Sequence, residues 1–144
     1  MTKEIWINIP VKDIKKSVAF FTHLGFSLNP QHGESSESAS VIIGDRNVVL
    51  MLFEERTFAR FSGNPIADVT KGTEVLFSID AESRTEVDEM AKKVVEAGGY
   101  VYGQPTENYG WMYGCGFVDI DGHRWNLLHM DLDKMRQAES NFMN

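Results

Sequence analysis

Four residues stand at matching places in a sequence that carries nearly the same pattern twice: Trp6, Met51, Glu74 and Asn126. Duplicated units of this kind are expected to enclose a cavity, lined by strand positions equivalent between the copies. Of the four residues, only Glu74 is a strong acid or base at neutral pH. Asn126 offers an amide donor and acceptor, while Trp6 and Met51 supply an apolar wall with one indole N–H. A carboxylate in such a cup can move a proton at a bound molecule. Without turnover, the same cup holds a small organic molecule by its rings and amides.

The elements that must position these residues follow from periodicity. Residues 5–9 alternate isoleucine with Trp6 and Asn8, the period-2 pattern of a strand. Asp13 is a good N-cap for a helix over residues 13–23, whose Ile14, Val18 and Phe21, joined by Phe20 and Leu24, form the apolar stripe. Gly25 supplies the left-handed stop. A polar turn over residues 31–40 precedes a short strand at 41–43, a tight turn at 44–47 and a strand at 48–53. In the second copy a strand at 74–79 leads to a helix at 83–97. Ser83 and Glu86 form its capping box, and Val87, Met90, Val94 and Val95 its buried stripe. Strands then run to residue 128. The predicted organisation is one domain over residues 1–144: module one at 1–55, a connecting loop at 56–71, module two at 72–130 and a C-terminal tail at 131–144. The loop, with Phe58, Phe61 and Ile66, is too apolar for a plain linker and is expected to fold over something.

Strand alternation extends the candidate surface. If Trp6 and Asn126 face inward, so do Asn8, Leu76, Ser78, Arg124 and Leu128. Residues 100–117 interleave rings with glycines, and Trp111 and Tyr113 are candidates for a ring-lined wall. The ligand-binding set is therefore Trp6, Asn8, Met51, Ser78, Trp111, Tyr113, Arg124 and Asn126, with Glu74 as the candidate acid or base. The four histidines fit surface or capping roles: His23 at a helix end, His32 and His123 in turns, and His129 at opposite parity to Asn126.

Composition narrows the class. The 144 residues are 42% hydrophobic, enough for one full core. A net charge of -7, from 14 Lys+Arg against 21 Asp+Glu, disfavours a nucleic-acid partner, whose binding draws on a basic patch. It is compatible with a cationic or neutral ligand. No apolar run approaches the roughly 20 residues that span a bilayer, and the N-terminus reads as a strand rather than a signal peptide. The single Cys115 cannot form an intrachain disulfide, which points to a reducing cytoplasm and to a structural, partly buried side chain.

Three motifs carry a resemblance. Residues 9–21 with Leu24-Gly25-Phe26, then Ala97-Gly98-Gly99, then Phe117-Val118-Asp119-Ile120-Asp121-Gly122-His123 resemble the vicinal oxygen chelate superfamily. That superfamily includes glyoxalase I, bleomycin-resistance proteins, fosfomycin-resistance enzymes and extradiol dioxygenases. The resemblance implies an α+β fold, two β-α-β-β-β modules forming a cupped, mostly antiparallel sheet around a central cavity, and a homodimer. It also implies where metal ligands would stand. The superfamily's metal enzymes place His, Glu or Gln at four positions, which here fall on Trp6, Met51, Glu74 and Asn126. An indole has no accessible lone pair, a thioether suits soft ions only, and an amide is a weak ligand. One carboxylate does not hold a catalytic ion. The reading is therefore a site without metal or cofactor.

Three functions remain open on these grounds. The first is a metal-free protein similar to bleomycin-resistance proteins that binds a small organic molecule. The second is a metal-independent lyase or isomerase using Glu74. The third is a glyoxalase- or dioxygenase-like metal enzyme with non-standard ligands drawn from Glu54, Glu55 and His129.

Overall fold

The computed structural model describes residues 1–143, in two compact units, one ending at Gly72 and the other beginning at Thr73. In the first, β1 (Trp6–Val11), α1 (Ile14–His23), β2 (Ser27–Leu28), β3 (Ser38–Ile43), β4 (Val48–Glu54) and α2 (Glu55–Ser62) follow in order. Its sheet runs β1-β4-β3-β2, with β1 parallel to β4 and the remaining neighbours antiparallel. The second unit repeats this plan with β5 (Leu76–Asp80), α3 (Arg84–Glu96), β6 (Tyr100–Asn108), β7 (Met112–Val118) and β8 (Arg124–Met130). Its sheet runs β5-β8-β7-β6 with the same mixture of directions, and α4 (Leu132–Met143) follows. Each unit is thus an open, mixed four-stranded sheet with a helix on one face. This is the α+β, mostly antiparallel arrangement read from the sequence.

Helix caps and strand alternation put the cores where they are. The Asp13 carboxylate accepts from the Lys16 N–H at 3.0 Å, and Gly25 closes α1 at φ 104°. Between these stops Ile14, Val18, Phe20, Phe21 and Leu24 are buried against Ile9, Val11, Val41, Leu50 and Leu52 of the sheet. In the second unit the Ser83 hydroxyl accepts from the Glu86 N–H at 3.1 Å, and the Glu86 carboxylate takes the Glu82 N–H at 2.6 Å. The buried stripe of α3 is Val87, Met90, Ala91 and Val94, which pack over Phe117, Trp125 and Leu127.

Several boundaries differ from the sequence reading. Val95 is exposed, because the i, i+3, i+4, i+7 stripe from Val87 passes through Ala91 and Val94. β3 begins at Ser38, three residues earlier than expected, inside the polar segment read as a turn. The connecting stretch opens with a helix. α2 is capped by the Glu54 carboxylate on the Arg56 N–H at 3.1 Å and by Gly63 at φ 67°. Its buried position is taken by Thr57, and Phe58 and Phe61 are its only large apolar side chains, a stripe too short to mark a helix. The tail does not differ: Leu132, Met135 and Phe142 are spaced as in a short helix, and it forms α4, with Asn144 outside the described residues.

Cys115 lies in β7 under α3 and is 5% exposed. Burial, aided by the Asp88 carboxylate, pushes its thiol up to about 11 from the ordinary 9.0. The folded thiol therefore keeps its proton where the unfolded one has lost it. Its stabilising contribution is whole below about 9 and is lost as pH rises through 11, on the order of 2 kcal/mol in all. Alkylation by iodoacetamide near pH 8 is expected to be slow in the native protein and fast in denaturant. Cys115→Ala is expected to flatten the alkaline fall in stability. Rapid native labelling would contradict the burial.

Candidate functional site

In the first unit the face of the sheet away from α1 carries three lateral rows set by register. Trp6 pairs with Val49 and Val49 with Ile42; Asn8 pairs with Met51 and Met51 with Ser40; Pro10 pairs with Phe53 and Phe53 with Ser38. Because alternation sends Ile9, Val11, Leu50 and Leu52 to the core, Trp6, Asn8, Met51 and Phe53 all share the other face. An open cavity of about 1140 Å³ lies over these rows. Its walls include Lys3 at one end, Arg46 and Asn47 of the β3–β4 turn, residues 29–32, and Phe61 of α2. Phe61 packs on Phe53 with ring centroids 5.2 Å apart. The structure therefore brings three predicted residues together here: Trp6, Asn8 and Met51.

Several contributors to this cavity were missed by sequence reasoning, Lys3 and Arg46 among them. His32, expected on the surface, lines it, with its Nε2 3.1 Å from the Ser38 hydroxyl. Phe61 arrives on the unrecognised helix α2. Ser40 sits in the middle row beside Met51 but is 1% exposed and stays beneath the cavity rather than lining it; its hydroxyl has no hydrogen-bond partner among the described residues. Its place in the row was legible once Ser38–Ile43 is known to be one strand.

The second unit has a corresponding face. Leu76 pairs with Arg124, Ser78 with Asn126, and Asn126 with Gly116. Tyr102 lies over Gly116; its hydroxyl donates to the Asn126 side-chain oxygen at 3.2 Å, and the Arg124 guanidinium stands 4.6 Å from its ring centroid. Ser78, Arg124 and Asn126 are therefore on one face, as alternation required, and Tyr102 joins them. The signal for Tyr102 was Gly116: a ring can cross a strand only where the strand has no side chain.

Trp111, Tyr113 and Glu74 do not join that face. Tyr113 pairs with His129, and both stand on the α3 side: the Tyr113 hydroxyl donates to Asp88 at 2.6 Å, and the Arg84 guanidinium, itself paired with Glu107, is 4.9 Å from its ring. The bond to Asp88 pushes the phenol above its ordinary value. The parity that turned His129 away from Asn126 turns Tyr113 away too, which corrects its grouping with the cup. Trp111 sits in the β6–β7 turn, stacked on Tyr109 at 6.0 Å. Glu74 lies ahead of β5 in an exposed bend, and by register the counterpart of Trp6 is Leu76, two residues further on. His129 contacts the Ala81 carbonyl at 3.1 Å.

The turn into β8 is held by one carboxylate. Asp119, 4% exposed, accepts from the Trp125 indole N–H at 3.0 Å and from the backbone N–H groups of Asp121 at 2.9 Å and His123 at 3.0 Å. Burial pushes its carboxyl up, against the opposing pull of His123 and these hydrogen bonds.

Donor chemistry tests the metal that the fold family implies. Neither sheet face offers a suitable set: Trp6, Met51 and Asn126 are poor donors, and Glu74 is off the strand. Among the described residues no three His, Cys, Asp or Glu side chains gather as a metal-binding group. The residues present do not fit a divalent ion at these positions. Nor is any helix of the described residues long and apolar enough to cross a membrane.

Comparison with known proteins places this architecture. Residues 3–35 match the family model described as bleomycin resistance protein-like N-terminal. The structure is similar to that of hypothetical protein SA1046 from S. aureus, at 34% identity, covering 90% of this chain and 94% of that one, with a TM-score of 0.78. It is also similar to a glyoxalase/bleomycin resistance protein/dioxygenase family enzyme from Burkholderia phytofirmans PsJN (18% identity, 87% and 96% covered, TM-score 0.72). A glyoxalase-related enzyme from Fulvimarina pelagi is comparable (16% identity, 90% and 88% covered, TM-score 0.76). No curated protein matches the chain.

Proposed function

We propose that this chain, which belongs to the vicinal oxygen chelate superfamily, binds a small organic molecule in the first-unit cavity without a metal, as a cytoplasmic homodimer. The observation that carries the reading is the register: Trp6, Asn8, Met51 and Phe53 form one contiguous face under a cavity of about 1140 Å³, large enough for a drug-sized ligand. Rings and a thioether give apolar contact, and the amide fixes orientation. The residues at the superfamily's metal positions support a role that does not depend on an ion. Glu74 as acid or base draws no support from its surroundings, an exposed bend outside the strand.

Calorimetric titration with aromatic and aliphatic compounds, with and without EDTA, tests this. Saturable binding is expected to survive the chelator. Trp6→Ala, which removes the largest ring on the face, is expected to weaken it by about tenfold or more. Binding or turnover that appears only with added Ni²⁺, Zn²⁺ or Mn²⁺ would overturn the reading.

A further inference from the structure

The first-unit cavity is unlike at its two ends. β1 and β4 are parallel, so the start of β1 and the β3–β4 turn lie at the same end of the sheet. That end brings Lys3 and Arg46 to the cavity wall beside the Trp6–Val49–Ile42 row. Glu4 also lines it, leaving a surplus of one positive charge in a chain whose net charge is -7. At the opposite end are Phe53 and Phe61, ring against ring; the cation nearest them, Arg60, is 5.5 Å from the Phe61 ring centroid but does not line the cavity, and His32 is engaged with Ser38. Met51 lies between the two ends.

Resting on the proposed binding function, we infer that the ligand of this cavity is a monoanion: a carboxylate carried on an aromatic or branched apolar body. The carboxylate sits between Lys3 and Arg46 beside Trp6, and the body reaches over Met51 to Phe53 and Phe61. A guanidinium presents a flat fork that matches a carboxylate, and an ammonium adds a point charge. A surplus of one charge matches a monoanion better than a doubly charged phosphate. It opposes an amine, so the acidic chain as a whole misleads about its own ligand: local charge at the cavity, not net charge, selects it.

Three probes of one shape separate the possibilities: 3-phenylpropionate, 3-phenylpropanamide and 3-phenylpropylamine, titrated by calorimetry at neutral pH. The acid is expected to bind about tenfold more tightly than the amide, one charge-assisted contact's worth. The amine is expected to bind most weakly, and added salt should narrow the gap. Arg46 is exposed in a turn, so Arg46→Met is expected to melt like the parent. It should remove most of the preference for the acid, weakening the acid about tenfold and the amide by much less. If the amide or the amine binds as well as the acid, or Arg46→Met leaves the preference intact, the inference falls and the cavity remains a binding site. If none of the three binds at millimolar concentration, the binding function falls with it.

Discussion

Asp119→Ala is expected to cost roughly 3 kcal/mol or more, a large share of the 5–15 kcal/mol that holds a typical domain together, and to lower Tm by roughly 10 °C. The carboxylate is 4% exposed and takes three N–H groups, two from the turn and one from the Trp125 indole. The turn amides can turn to water once the carboxylate is gone. The indole cannot, because Trp125 is fully buried between Phe77, at 4.7 Å, and Phe117, at 6.0 Å. An orphaned buried donor costs its whole desolvation penalty, which sets the scale of the loss. Asp119→Asn separates charge from shape: it keeps an acceptor for the turn and removes the ionisation. The folded carboxyl is raised above the ordinary 3.8, so it holds its proton more tightly folded than unfolded. Its contribution is whole below 3.8 and falls as pH rises through the folded value. The stability of the parent relative to Asp119→Asn is therefore expected to be greatest at low pH and to decline upward. Urea melts across that range measure it, and a parent whose advantage grows with pH would refute the assignment.

Most of the frame was legible because local chemistry and global fold agree in it. Asp13 with Gly25 bounds α1 where its apolar stripe begins and ends, and Ser83 with Glu86 starts α3 where its own stripe begins. Alternation in β1 and β4 put Trp6, Asn8 and Met51 on one face, since a one-residue slip would have sent Ile9 and Leu52 out of the core. The site beyond that face was less legible, because its remaining members come from segments without a period. Lys3 precedes β1, Arg46 lies in a turn, His32 follows β2, and Phe61 rides a two-turn helix whose buried residue is Thr57. Tyr113 was misplaced for a different reason. The β6–β7 pairing carries register shifts near Gly103 and a turn with Tyr109 at φ 59°, so counting ring positions from the hairpin loses its phase. Counting from β8 does not: Tyr113 faces His129, and both look toward α3.

Gly114→Ala is expected to destabilise the second unit by about 2–3 kcal/mol, and Gly116→Ala by less, although the two added methyl groups are equally close to their neighbours. At Gly114 the new carbon would stand 2.6 Å from the Leu127 carbonyl oxygen, an atom of the β7–β8 ladder. Relieving that contact means parting the strands that bury Trp125 and Leu127. At Gly116 it would stand 2.5 Å from the Tyr102 ring, which is 39% exposed and can swing outward. The strain is then released at the cost of one hydrogen bond to Asn126 and the Arg124–ring contact, about 1–2 kcal/mol together, offset by the gain of alanine over glycine in a strand. A double-mutant cycle isolates the cause. In a Tyr102→Ala background Gly116→Ala is expected to cost nothing, whereas Gly114→Ala keeps its full penalty. Equal penalties at the two glycines, or a Gly116 penalty that persists without the ring, would show that the backbone rather than Tyr102 fills that space. The same cycle reports on Asn126, because its side-chain oxygen is anchored to the sheet face through Tyr102. Glycine at 116 is what allows a ring to lie across β7, and through that ring the strand sets where the Asn126 amide points.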